Sequence, residues 1–548
     1  MTARLSTLAG ALTSARARPT AGVTMSPAEW RWAIGAALLV LGLTCIPYGV
    51  AWLRQDGAQQ FTGFLLSADD GHTYLAKMAQ GARGDWLFTQ AYAAEPGPPL
   101  FLFPFYLVLG KLTGPDVVAR IVGYHAARVV FGLAYLVAAY VWIAGFSARL
   151  KTRRLGFWLL ALGGGLGWLA LGAGGAAPRL EDLPLDLYLP EAFSFLLLMT
   201  LPHLAAARFA LVLGLIAYRQ GRVGMAGLLL MVVAFIVPLY PVVAGLLLVL
   251  GDLAGAATPG GLDRVRILTL VRRWLLLLLP AAPYVSYILL QTKLDPALAE
   301  FMDQNILLSP NLIHYALAYG PWAWFGWIGW RALRRDTPQL ATWAAVWLAL
   351  GIALTYIPIS TQRRIIDGYW LWLAPLAARG LALVSRGSRW KRLVLPTLWL
   401  TTLPGIGLAW GGALGAAMAQ TPALFIPRGQ VVAFEWLAQQ TQVGGVVLAS
   451  FQTGNWVPAH TPFRAYLGHT VETPQIRTTE AAVARFFGTE ASAQERATLL
   501  VIGHIDYVLW GPEERALGDF EPGTWQVLER VYASDGYEVY RVRADVHP

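Results

Sequence analysis

Long apolar runs separated by short charged segments fill the first 420 residues, and most are close to the roughly 20 residues a helix needs to cross a bilayer. The first, Trp32–Trp52, follows a segment carrying Arg4, Arg16, Arg18 and Arg31. It is too long, and too far from the start, for a cleaved signal peptide, so it reads as a signal anchor behind a cytoplasmic tail, 1–31. Basic clusters at Arg149/Lys151/Arg153/Arg154, Arg219/Arg222, Arg264/Arg266/Arg272/Arg273, Arg331/Arg334/Arg335 and Arg386/Arg389/Lys391/Arg392 mark cytoplasmic turns. Between them lie acid-rich loops, which belong outside: Asp56, Asp69, Asp70, Asp85 and Glu95; Glu181, Asp182, Asp186 and Glu191; Asp295, Glu300 and Asp303. The alternation predicts spans over 32–53, 117–146, 155–171, 192–217, 223–237, 240–256, 274–290, 311–330, 338–358, 365–384 and 393–418. That is about eleven crossings, joined by outer loops at 54–116, 172–191 and 291–310. Residues 223–256 are short for two full crossings, and Pro238-Leu239-Tyr240-Pro241 breaks a helix there, so two short helices or a re-entrant hairpin are expected. Pro98–Leu112 is apolar but interrupted by proline, which suits a helix lying along the outer interface.

Beyond Thr421 the pattern changes. Strand-like runs Val446–Ser450, Tyr507–Trp510 and Glu538–Val542 alternate with helical stretches Gln430–Gln440, Thr479–Phe487 and Ala491–Val501. Strands spaced by helices read as an α/β unit over 421–548. The expected fold is therefore a polytopic α-helical membrane protein, 32–420, followed by a small extracytoplasmic α/β C-terminal domain. It sits in the cell membrane with the N-terminus in the cytoplasm.

Composition agrees. The 548 residues are 56% hydrophobic and 14% charged, with a mean hydropathy of +0.50, where a soluble domain averages about 25% charged. This excludes a collagen, a disordered chain, a disulfide scaffold and a cytosolic enzyme. Cys45 is the only cysteine, so no internal disulfide forms. The net charge of +10 hides an asymmetry. Residues 425–548 carry 9 basic and 14 acidic side chains, which leaves the excess on the membrane part, where it reports topology and not nucleic acid.

The first outer loop, Ser67-Ala68-Asp69-Asp70-Gly71-His72-Thr73-Tyr74-Leu75-Ala76-Lys77-Met78, places two adjacent carboxylates beyond the first span. A carboxylate there can take a proton from a hydroxyl arriving from outside. The pair could raise one pKa or share a divalent cation, Mg or Mn; alternatively, one of them caps the helix that follows. Arg363 and Arg364 in Gln362-Arg363-Arg364 fall on the outer side, where positive charge is disfavoured. They suit a phosphate, or anchor the span to headgroups. Glu191, His203 and Arg208 put ionisable groups on the fourth span, where function is the default hypothesis and satisfaction of a carbonyl freed by Pro202 the alternative. Arg120, His125 and Arg128 on the second span resemble them, with Arg120 expected to snorkel outward. Asn305 and Ser309-Pro310 could line a pocket, and Trp322, Trp324, Trp327 and Trp330 read as interfacial anchors. In the C-terminal region Asn455 follows a strand, and His469 and Glu472 lie shortly after, where α/β units bind ligands, although turn chemistry explains them equally.

The arrangement resembles the GT-C superfamily of membrane glycosyltransferases, such as protein O-mannosyltransferases and 4-amino-arabinose lipid A transferases. Most closely it looks like bacterial GT-C-like proteins with a first loop such as SADDGHTYLAKMAQGARGDWLF, a late QRR, and an outer domain carrying TGN, GHTVET and DYVLWGPEER. The resemblance implies a sugar donor on polyprenyl phosphate and a glycan, lipid or protein acceptor. It implies inverting transfer with Asp69 as base, and Asp70 where the mannosyltransferases have glutamate. Arg363, Arg364 and Arg208 would hold the donor phosphate. His72, Tyr74, Lys77, Glu191, His203 and Asn305 would line the substrate pocket, and Asn455, His469 and Glu472 would contact the acceptor. No cofactor is required, with Mg or Mn admitted. A transporter or flippase of lipid-linked glycans is the rival reading. It calls for inverted repeats and ionisable groups at mid-membrane, whereas here they gather at the outer rim. A non-catalytic relative acting as a binding module is the other.

Overall fold

The computed structural model describes residues 25–172, 184–256, 263–385, 391–440 and 444–543. Arg4, Arg16 and Arg18 of the expected tail, the acidic pair Glu181 and Asp182, and Arg386 and Arg389 lie outside them. The first helix, Pro27–Arg54, begins with a capping box in which Ser26 and Glu29 satisfy each other's backbone N–H. It is followed in the membrane part by Val117–Ala144, Leu150–Leu162, Pro202–Arg219, Val223–Ile236, Leu239–Ala256, Leu312–Asp336, Pro338–Leu354, Tyr369–Val384 and Lys391–Met418.

Among the described residues four helices are long and apolar enough to cross a membrane: Pro27–Arg54, Val117–Ala144, Leu150–Leu171 and Leu239–Ala256. Arg264–Leu278 and Ala282–Leu294, where a span over 274–290 is expected, pass the same test only together, as a broken span or a re-entrant loop bent by 60° beside Pro280, which cannot donate to the helix ladder. The other expected spans hold helices outside those criteria. Leu201-Pro202 splits the fourth into Ser194–Thr200 and Pro202–Arg219, and Val223–Ile236 and Pro338–Leu354 are short. The 223–256 stretch forms two helices on either side of Val237-Pro238, one of the two forms expected of it.

The core of the membrane part is aromatic. Trp142 meets Trp372 edge to face at 4.8 Å, and Trp322 is fully buried, its indole N–H donating to the Gly164 carbonyl at 2.7 Å. Trp322 is thus a core residue and not an interfacial anchor, whereas Trp324 and Trp327 stack at the surface. Arg120 is buried as well. It donates to the carbonyls of Leu75, Pro115 and Asp116 instead of snorkelling.

The C-terminal region is a five-stranded mixed sheet. β3 (Val446–Leu448) pairs in parallel with β4 (Arg464–Ala465) and β5 (Ile505–Trp510). β7 (Tyr537–Val542) runs antiparallel between β5 and β6 (Leu528–Ser534). The β6–β7 turn is Asp535-Gly536, both at positive φ, as a two-residue hairpin demands. A small ladder joins this region to the membrane part: β1 (Gln59–Phe61) pairs antiparallel with β2 (Phe425–Pro427).

Candidate active site

Asp69 and Asp70 lie in the first turn of the Ala68–Ala82 helix. The N-cap position belongs to Ser67, in the left-handed region (φ 49°), and no side chain caps the helix. Capping therefore does not account for the two carboxylates. They stand at the positive end of the helix dipole, with side chains that reach solvent and are partly desolvated by the elements around them. The rest of the helix is buried. It crosses the Pro104–Thr113 helix at Gly81 and Gly110, where a Cβ would overlap a carbonyl of the opposite backbone. Only glycine permits that approach, which fixes the height of the acidic turn. Pro104–Thr113, a ten-residue helix in the stretch expected along the outer interface, buries Tyr106 and Leu107 on one face and exposes Val108 and Leu112 on the other.

The C-terminal region grips this helix. Gly454 and Gly468 bring the Phe451–His460 helix and the following loop into backbone contact, which sets Asn455 beside His469 and explains the glycines of TGN and GHTVET. Ser450–Asn455 is the capped start of that helix, with Ser450 accepting from the Thr453 N–H. Asn455 is buried; it accepts from His72 Nδ1 at 2.8 Å, and its Nδ2 donates to the Asp69 carbonyl at 3.3 Å. His469 Nε2 faces Asp70 Oδ1 at 3.4 Å, while its Nδ1 accepts from the N–H groups of Val471 (3.3 Å) and Glu472 (3.2 Å). Glu472 forms a buried ion pair with Lys77 at 2.5 Å. The three residues expected at an acceptor thus all face the acidic helix, and His72 and Lys77 are their partners.

The arginine pair lies on a 3-10 turn, Gln362–Ile366. Arg364 is 41% exposed, with Nε 3.6 Å from Glu191 Oε1, and Asp70, Tyr74, His203 and Glu191 are all within reach of its charge. Arg363 covers the Tyr188 ring at 5.3 Å. Arg208, expected at the phosphate, is buried elsewhere: Nε donates to Asp367 at 2.8 Å, and the remaining nitrogens to the carbonyls of Phe193, Pro190 and Glu191. All three of its nitrogens are occupied, so it holds the arginine-bearing segment in place and is not free to bind a phosphate. His203 meets the Tyr106 hydroxyl at 2.6 Å, and Tyr74 stacks on Tyr106 at 4.5 Å. In the 291–310 loop Gln304, not Asn305, reaches the His469 loop, donating to Val471 and Thr473. Leu307 exchanges backbone hydrogen bonds with Ser360 and Arg363. Sequence reading missed Gln304 and Asp367, polar residues beside chosen ones that carry no motif.

The carboxylates sit in unequal surroundings. Burial holds Asp69 above its ordinary value, with the neighbouring Asp70 adding to the effect against His469. For Asp70 the cost of burial is outweighed by the hydrogen bond from His469 and the charges nearby, Arg364 and Lys77 among them, and it lies below its ordinary value. Burial drives His72 down to about 3, so it is neutral and donates to Asn455. A cavity of about 590 Å³ opens at the far end of the acidic helix, lined by Gln80, Arg83, Asp85 and Arg464, away from these groups. Among the described residues no set of three His, Cys, Asp or Glu side chains is placed to hold a metal ion.

No protein-family model and no curated protein matches the chain. Solved structures do. The oligosaccharyltransferase of Archaeoglobus fulgidus, tethered with an acceptor peptide containing the NVT sequon, matches over 88% of this chain and 69% of its own, at TM-score 0.50 and 11% identity. ArnT from Cupriavidus metallidurans, bound to undecaprenyl phosphate, matches over 94% and 99% at TM-score 0.48 and 14% identity. At such identities the likeness is one of fold.

Proposed function

We propose that this chain, which shares the fold of the GT-C membrane glycosyltransferases, moves a sugar from a polyprenyl phosphate to an acceptor hydroxyl at the outer face of the cell membrane. The observation that carries the reading is electrostatic: the charge of the part-exposed Arg364 reaches Asp70. Asp69 is the base. Among the described residues its carboxylate has no hydrogen-bonded or ion-paired partner, and a carboxylate held above its ordinary pKa is the stronger base. The acceptor O–H gives its proton to Asp69, the oxygen attacks the anomeric carbon from the face opposite the phosphate, and the carbon–phosphate oxygen bond breaks with inversion. Arg364, with Arg363 beside it, stabilises the negative charge that gathers on the leaving polyprenyl phosphate. A divalent cation, Mg or Mn, would find Asp69 and Asp70 as ligands, since Glu472 is held by Lys77, and no step is routed through one. The flippase reading has less support, because buried Arg208 and Arg128 are satisfied by partners within the protein.

The test is release of sugar from a panel of synthetic polyprenyl-phosphate hexoses and pentoses by the protein in lipid nanodiscs, with water or added glycans as acceptor. D69N is expected to abolish release while retaining undecaprenyl phosphate, and R364A to weaken retention. Release by D69N at the unaltered rate would overturn the reading.

A further inference from the structure

The cavity of about 590 Å³ beyond the acidic helix takes no part in the proposed transfer. Asp70 and Arg83 are thirteen residues apart, which is about 20 Å along a helix rising 1.5 Å per residue. One wall of the cavity is the 83–96 loop, and the other is the segment 458–464 of the C-terminal region. Hydrogen bonds hold both walls. The Gln80 amide closes the loop, accepting from the Thr89 N–H at 2.9 Å and donating to the Thr89 carbonyl at 2.7 Å. Across the seam Arg464 donates through Nε and Nη1 to the carbonyls of Gly444, Ala93 and Ala94, and the Ala465 N–H donates to that of Ala91. The volume lies within the roughly 300–1,000 Å³ of small-molecule sites and leaves room for more than one pyranose ring.

The lining selects a ligand class. Arg83 and Asp85 stand exposed on the rim, and among the described residues neither side chain has a hydrogen bond or an ion pair. Arg464 keeps its Nη2 for a further acceptor, and Pro96, Pro462 and Phe463 make an apolar wall. The charges balance, with Asp85 offsetting Arg83, and Asp506 and Glu95 offsetting Arg464. A polyanion or a polycation therefore finds no net attraction here. A neutral peptide needs unpaired backbone groups to dock against, yet both backbone groups of Thr89 and Gly444 and the Ala91 carbonyl are already bonded. A neutral sugar meets what is left. Its vicinal hydroxyls both donate and accept, so they satisfy a carboxylate and a guanidinium fork side by side, and its C–H face covers the prolines.

We propose that this cavity binds a neutral oligosaccharide, a stretch of the acceptor remote from the reacting hydroxyl, which makes the acceptor a glycan chain. This rests on the glycosyltransferase reading and deepens it. A chain held there reaches the acidic turn only when it is several sugars long.

Saturation-transfer difference NMR of the full-length protein in nanodiscs tests this without a donor. The probes are maltotetraose, cellotetraose, mannotetraose and chitotetraose at millimolar concentration, with tetraalanine as the peptide control and empty nanodiscs as the blank. At least one tetrasaccharide is expected to be saturated by wild type and by D69N alike. R83A/D85A should weaken that binding about tenfold, the scale for losing charged hydrogen-bond partners. Both side chains are exposed, so the variant should keep its fold, and unchanged hydrogen exchange over 68–82 checks this. Saturation of none of the four, saturation untouched by R83A/D85A, its loss in D69N, or equal saturation of tetraalanine overturns the proposal. Failure of the transferase reading is a separate result: no sugar released from any donor, with tetrasaccharide binding intact and still sensitive to R83A/D85A.

Discussion

Replacing Asp367 with Asn tests the strut behind the arginine turn. Arg208 and Asp367 are both almost wholly buried, with Nε and Oδ1 2.8 Å apart. At an effective dielectric constant of about 20 their attraction is roughly 6 kcal/mol, most of it offset by the cost of taking both charges out of water. Asp367→Asn removes one charge at constant volume and leaves the buried guanidinium with neutral acceptors alone, the amide oxygen and the carbonyls of Pro190, Glu191 and Phe193. The expected loss is about 3–5 kcal/mol, the range for breaking one side of a buried pair. R208M/D367L removes both charges but leaves those carbonyls without donors, at about 1–3 kcal/mol per group. In the cycle of R208M, D367L and the double variant, the double should lose less than the sum of the singles, with a coupling of about 2 kcal/mol. Unfolding in mixed micelles titrated with SDS provides the measurement. Asp367 follows the arginine turn directly, so D367N should also weaken retention of undecaprenyl phosphate. A D367N stability within about 0.5 kcal/mol of wild type, or strictly additive single variants, would refute the strut.

Three further outcomes are expected. R364A should lower retention of undecaprenyl phosphate at least tenfold, and R364K should restore it only in part, because an ammonium cannot make the bidentate contact; native mass spectrometry of nanodisc protein reads both. Gly454→Ala should push the His469 loop off the Phe451–His460 helix, since the new methyl would overlap the Leu467 carbonyl. A displacement of about 1 Å costs on the order of 10²-fold in rate, and hydrogen exchange should rise at 468–473 while the membrane helices stay protected. Finally, Asp70 is depressed below its ordinary value, so its share of stability is present above about pH 4 and is lost as pH falls through the folded value. Exchange in the 68–82 helix should therefore speed up on acidification in wild type, and D70N should exchange fast throughout; parallel profiles would contradict the assignment.

The chemistry of the site was legible where it depends on local residue type. Adjacent carboxylates beyond a span and adjacent arginines at a disfavoured position are anomalies that composition cannot explain away, and the fold brings Asp70 and Arg364 into one electrostatic neighbourhood. What the sequence hides is the partner across space. Asn455, His469 and Glu472 were noticed as polar residues near strand ends, where a ligand is the usual explanation. Their actual partners are Asp69, Asp70, His72 and Lys77, nearly 400 residues away. A buried Lys77–Glu472 pair and a solvated one have the same letters. Arg208 misled for the same reason, because an ionisable residue on an apolar helix reads as functional until Asp367 is known to lie against it. The glycines carried the missing information: Gly454 and Gly468 stand directly before Asn455 and His469, at the place where the two backbones touch. Read as points of contact instead of turns, TGN and GHTVET become the two halves of one clamp on the acidic helix.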